Sequence, residues 1–334
     1  MKYALLLIAT ACVAIAIFVT GFSAGAARVA VQPAPHLAVP SPAVLSSAAP
    51  APTRPLRLGV IGDSLTLPGP GAWADSWLRV LIDSQRVSCG DERPDPATCA
   101  GRSWRYAWAA SGATTTTALE RGWVAQAAQA LRSGELDAVV VMIGIDDLAL
   151  FQDQSLAGRD ITDMQWDAAC TRIETNWLRM AHDLRVGKGL VLFSELPDPT
   201  GIPLIRDLLR QHDAEKKRLQ TAIQRLNDYL GDLSASQDFP LFDFIRRQRE
   251  LAMDPAAQRL PGLTLLPLAW GLGADRGFAP DGIHLGPVPT GVLAAGIVET
   301  LNGFQANIRP LHAAELTDIA QSFVAAANRR FSSK

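Results

Sequence analysis

Two short segments near opposite ends of the chain carry residue types that can work together. The first is Gly62-Asp63-Ser64-Leu65-Thr66, which follows the apolar run Leu56 to Ile61. A serine directly after a buried strand, with the glycine-containing stretch Pro68 to Gly71 behind it, can expose its Oγ and present its own N–H to an oxyanion. The second is Asp281-Gly282-Ile283-His284. Asp and His three residues apart on a turn can set the carboxylate against one imidazole nitrogen, fixing the tautomer and leaving the other nitrogen for a hydroxyl. Alone, each has a plainer explanation. Asp63 and Ser64 would merely satisfy turn backbone groups, and His284 would be a loop histidine near an N-cap aspartate. Together they read as a nucleophile, its general base and the acid that orients the base.

The elements that must position these groups alternate between short apolar runs and longer helical periodicities, the pattern of a parallel sheet with crossover helices. Strands are predicted at Leu56 to Ile61, Tyr106 to Ala110, Ala138 to Ile143, Gly189 to Phe193 and Leu241 to Phe244. Ala138 to Ile143 (AVVVMI) has no polar face, which marks a central strand. Helices are predicted at Trp73 to Gln85, after the second strand through about Leu131, at Met164 to Val186, along the stripe Leu219, Ile223, Leu226 and Leu230, and at Thr290 to Leu301 and His312 to Asn328. In such sheets sites form at the carboxyl ends of the strands. Two further segments therefore fall beside Ser64: Ala110-Ser111-Gly112-Ala113-Thr114 and Ile143-Gly144-Ile145-Asp146-Asp147. A glycine after the second strand can bring a backbone N–H close to substrate, and a polar side chain after the third can act as another donor.

Four such segments in this order resemble the SGNH (GDSL-type) hydrolases, from Leu56 to about Leu301. The resemblance implies a three-layer α/β/α, flavodoxin-like fold with a five-stranded parallel sheet of order 2-1-3-4-5. It also implies Ser64 as nucleophile, Asp281 and His284 as the rest of the triad, and Gly112 as a backbone oxyanion donor. The activity implied is that of a serine ester hydrolase working through an acyl-enzyme, with no metal and no cofactor. Its substrate would be a small-molecule or glycan ester. The other readings are a catalytically weak or inactive glycan-binding module on the same fold, and an O-acyltransferase using the same triad.

One position departs from the family pattern. The third block normally reads G-x-N-D, with the Asn amide donating to the oxyanion, and here Asp146 stands at that place. An ionised carboxylate has no proton to donate and would oppose an oxyanion by roughly 4 kcal/mol at 4 Å with an effective dielectric near 20. Two escapes exist: Asp146 stays protonated, or it turns away and leaves the hole to backbone N–H groups.

The remaining sequence bounds the setting. The 31 Lys and Arg against 33 Asp and Glu lack the cationic footprint that nucleic acid needs. Lys2 followed by the apolar stretch Tyr3 to Phe22 has the layout of an export signal, so residues 1–27 are expected to be a signal peptide or an N-terminal membrane anchor. Residues 28–55 form an Ala/Pro-rich linker and 56–334 the hydrolase domain, placed in the periplasm or outside the cell. Gly21-Phe22-Ser23-Ala24-Gly25 matches a nucleophile-elbow pattern, but inside the leader it lacks the strand and helix that the motif needs. In an oxidising compartment Cys89 and Cys99 are the natural disulfide pair, leaving Cys170 as a buried thiol. Trp73, Trp77, Trp104, Trp108 and Trp123 cluster around the first two blocks and are expected to pack helices on the sheet.

Overall fold

A computed structural model describes residues 55–66, 76–88, 106–159, 161–185, 187–271 and 273–332. The expected leader, the linker before Pro55, the Cys89 to Cys99 loop, Trp73 and Trp104 lie outside the described residues. Among the described residues no helix is long and apolar enough to cross a membrane.

The main sheet has six strands, β1 (Leu56–Gly62), β2 (Val87–Ser88), β3 (Ala107–Ala109), β4 (Ala138–Met142), β5 (Leu190–Ser194) and β6 (Leu241–Phe242), all paired in parallel. Its order is β2-β1-β4-β5-β6, with β3 also paired to β1. The order implied by the family resemblance therefore holds, with one refinement. The position beside β1 is shared by two pieces: β2 lies along Leu56 and Arg57, and β3 along Val60 to Gly62. Sequence periodicity missed β2 because two residues carry no period. Every residue of β4 is buried, as its unbroken apolar run requires.

Helices α1 (Trp77–Asp83), α2 (Thr115–Glu120), α3 (Trp123–Arg132), α4 (Ile145–Leu156), α5 (Asp163–Leu184), α6 (Pro203–Leu208), α7 (Asp213–Gln237), α8 (Phe244–Met253), α9 (Pro287–Gly303) and α10 (Ala313–Ser332) cover the sheet. α2, α3, α4, α5 and α7 pack together on one face, and α1, α8, α9 and α10 on the other, giving three layers. The helix expected through Leu131 is broken in two at Gly122, whose φ of +68° ends the first segment. Beyond Met253 the chain adds small strands not foreseen from sequence, β7 (Arg259–Leu260), β8 (Leu263–Thr264), β9 (Leu266–Trp270) and β10 (Arg276–Phe278). Trp77, Trp108 and Trp123 are buried in the core, as expected, and so is Cys170, whose thiol burial pushes up to about 11.

The direction of the helices follows from one buried cation. Arg86 pairs with Glu315 at the start of α10 and donates to the carbonyl oxygens of Arg309 (2.9 Å) and Pro310, which follow α9. Its own carbonyl accepts from Leu56 N–H at the amino end of β1 (3.0 Å). The far end of α9 thus lies at the amino edge of the sheet. α1 also ends there, since it runs into β2 beside Leu56. α9, about 25 Å long, therefore begins near the carboxyl edge, and α1 packs against it.

Candidate active site

β1 ends with Gly62 in register with Ala109 of β3 and Met142 of β4, and Val141 is level with Phe193 of β5. The segments carrying Ser64, Gly112 and Asp146, each directly after one of these strands, consequently start from one edge. Gly62 has no room for a side chain, because an added Cβ would lie 2.3 Å from Thr66 Oγ1. The chain turns at once. Thr66 N–H donates to Asp63 O (3.2 Å) and Leu65 N–H to Asp63 Oδ1 (3.0 Å), which sets Ser64 in a turn directly after β1. Ser64 is fully buried, and its Oγ has no hydrogen-bond partner among the described residues.

The other half of the site comes from the loop between β10 and α9. Ala279 N–H donates to His284 O (2.9 Å) and Gly286 N–H to Gly277 O (2.9 Å), closing residues 277–286 into a tight loop. Within it, Ile283 N–H and His284 N–H both donate to Asp281 Oδ1 at 2.9 Å, and Asp281 Oδ2 lies 2.5 Å from His284 Nδ1. Burial pushes the Asp281 carboxyl up, but the imidazole and the two N–H groups outweigh it and hold the carboxyl below its ordinary range. An ionised carboxylate accepts only, so Nδ1 carries a proton, and the neutral tautomer this selects has its lone pair on Nε2. Nε2 is buried and has no partner among the described residues.

The structure thus joins Asp281 to His284 directly. It buries both Ser64, in the turn directly after β1, and His284, three residues before α9, the helix that packs on α1. No hydrogen bond joins Ser64 Oγ to His284 Nε2 in this structure. The loop of His284 is also tied to that edge through Leu204 N–H, which donates to Gly282 O (3.4 Å). Gly112 sits in an exposed turn with φ +75° and open space where a Cβ would stand.

Asp146 lies not in a loop, as the sequence suggested, but in the first turn of α4, where the helix dipole favours acidic side chains. It is 3% exposed. Its neighbour Asp147 ties the first turn of α4 to the start of α2 by accepting from Thr115 N–H (2.7 Å) and Thr115 Oγ1 (2.9 Å). Asn176 Nδ2 completes the joint by donating to Thr115 Oγ1 (2.9 Å). Burial outweighs those bonds and pushes Asp147 up to about 6, and burial also raises Asp63, with the Asp147 charge adding to it. Trp177 was not foreseen from sequence: its indole N–H donates to Ile143 O (3.1 Å), and its ring lies where a Cβ on Gly144 would be, 2.8 Å away. Among the described residues no group of His, Cys, Asp and Glu could hold a metal ion.

No protein-family model matches the chain, and no curated protein matches it in sequence. Comparison with solved structures does find relatives in shape. The chain resembles solved lipases and SGNH hydrolases. A lipase from a goat rumen metagenome superposes with a TM-score of 0.46 at 14% identity, over 73% of this chain and 97% of the lipase. A Slackia heliotrinireducens protein classed provisionally as an SGNH hydrolase gives 0.40 at 16% identity, over 74% and 100%. A variant of an acetyl xylan esterase from Geobacillus stearothermophilus gives 0.37 at 14%, over 74% and 95%.

Proposed function

We propose that the chain is a serine ester hydrolase of the SGNH type, acting outside the cytoplasm through an acyl-enzyme. One observation carries this reading: a hydroxyl donor and an imidazole acceptor, Ser64 Oγ and His284 Nε2, are both buried and both lack a partner among the described residues. Buried polar atoms of that kind are uncommon in folded proteins and concentrate where function needs them. These two are complementary, the hydroxyl in the turn directly after β1 and the imidazole just ahead of α9. In the reaction Ser64 attacks the ester carbonyl while His284 Nε2 takes the hydroxyl proton. His284 then returns that proton to the leaving alcohol, and water releases the acid from the acyl-serine by the same route reversed. Asp281 fixes the tautomer and stabilises the imidazolium. Gly112 N–H and Ser64 N–H supply the oxyanion site. A fluorophosphonate probe is expected to label the chain at Ser64, read by mass spectrometry of the modified peptide; an unlabelled Ser64 beside a reactive control hydrolase ends the proposal.

Asp146 favours one competing reading, a glycan-binding module on a disabled hydrolase scaffold. Asn in its place restores a donor of the same shape, and one oxyanion donor is worth about 10²- to 10³-fold in rate. Asp146→Asn is expected to raise kcat on nitrophenyl acetate by tenfold or more. An unchanged background rate in both forms would favour the binding module.

A further inference from the structure

The outer face of β9 is apolar in the wrong sense for an edge strand. Leu266, Leu268 and Trp270 alternate on the exposed side, at 44%, 38% and 50% exposure, while the half-buried positions between them hold only Pro267 and Ala269. Single exposed apolar residues need no explanation, but three in register on one strand make a continuous ridge. The ridge leads to the candidate site. β9 and β10 run in parallel and pair at Trp270 and Phe278, so both deliver the chain toward the loop of Asp281 and His284. The six-membered ring of Trp270 lies directly on Gly282: a Cβ there would be 2.0 Å from Cε3 and 2.1 Å from Cζ3, and the φ of +69° independently demands glycine. An aromatic wall therefore stands two residues from the catalytic base with half of its surface open.

From this juxtaposition we infer that Trp270, with Leu268 and Leu266 behind it, is the specificity-determining surface for the acyl chain of the ester. The inference rests on the esterase reading and narrows it to substrates with an extended apolar acyl group. From Leu266 to Trp270 the ridge spans roughly 13 Å at the rise of a β-strand, enough for a medium-length chain laid along it. The occupant is a single acyl chain in the act of hydrolysis.

The test compares kcat/KM for soluble nitrophenyl octanoate and nitrophenyl acetate in the full chain. Trp270→Ser and Leu268→Ser are each expected to lower the octanoate-to-acetate ratio about tenfold, the loss of contact with about two methylenes. Leu178→Ser removes an equally exposed leucine from α5 and should leave the ratio unchanged. Leu268→Ser, on the surface, covers the case in which Trp270→Ser fails to fold. If acetate is hydrolysed but neither substitution moves the ratio, the ridge assignment falls and the esterase reading stands. A drop seen only with octanoyl esters held in phosphatidylcholine vesicles would make the ridge a lipid-surface contact, which also overturns the assignment. If no ester is turned over, both fall together.

Discussion

Ser64→Ala is expected to cut ester turnover by on the order of 10⁶-fold, since removing the nucleophile of a triad costs nearly as much as removing the whole triad. The same substitution should leave the thermal midpoint unchanged or slightly raised. Ser64 is fully buried and its Oγ makes no hydrogen bond among the described residues, so the hydroxyl contributes desolvation without a compensating contact. Relieving a buried unsatisfied group is worth about 1 to 3 kcal/mol, which offsets the small void left behind. A serine present only to cap a turn would behave in the opposite way, losing stability and leaving rate alone. Steady-state kinetics and a thermal melt on the same preparation separate the two. A variant that melts earlier and hydrolyses normally would remove Ser64 from the mechanism.

Asp281→Asn is expected to lower kcat by about 10⁴-fold through the tautomer rather than the fold. The Asn side-chain oxygen can still accept from Ile283 N–H and His284 N–H, the two 2.9 Å bonds that shape the loop. Its NH₂ group then faces His284 Nδ1 and can only donate. The imidazole must carry its proton on Nε2 and can no longer take one from Ser64. Because the loop is retained, fluorophosphonate labelling should slow in parallel with turnover while the melt shifts little. Equal rates for the unaltered chain and the Asp281→Asn variant would show that the pair serves only the loop. Loss of rate together with a lower melting temperature in Asp281→Ala, but rate loss alone in Asp281→Asn, is the signature expected of an orienting acid.

Much of this arrangement was legible in the sequence because its signals are local. A short unbroken apolar run dominated by β-branched residues marks a buried strand, and Ala138 to Met142 is one. A glycine followed by Asp-Ser directly after such a run dictates a turn at a sheet edge. Asp and His three residues apart are close enough to meet whatever surrounds them, and they do, at 2.5 Å. What sequence could not supply depends on partners distant in the chain. Asp147 reads as an ordinary helix-start acid until Thr115 is seen to donate to it. Trp177 reads as one more apolar helix position until its ring is found beneath Gly144. Trp270 lies in a stretch with no clear period, and only its packing on Gly282 gives it a role. The chain alone thus determined the residue types, the order of the strands' turns and the acid–imidazole pair, all set by contacts within a few residues. The placement of α9, and with it of the loop that carries that pair, was decided only by tertiary structure, because it needs Arg86 and the packing of α1 on α9 to align two helices more than two hundred residues apart. Such long-range alignment comes from burial and ion pairing summed over the whole core, which no short window of sequence contains.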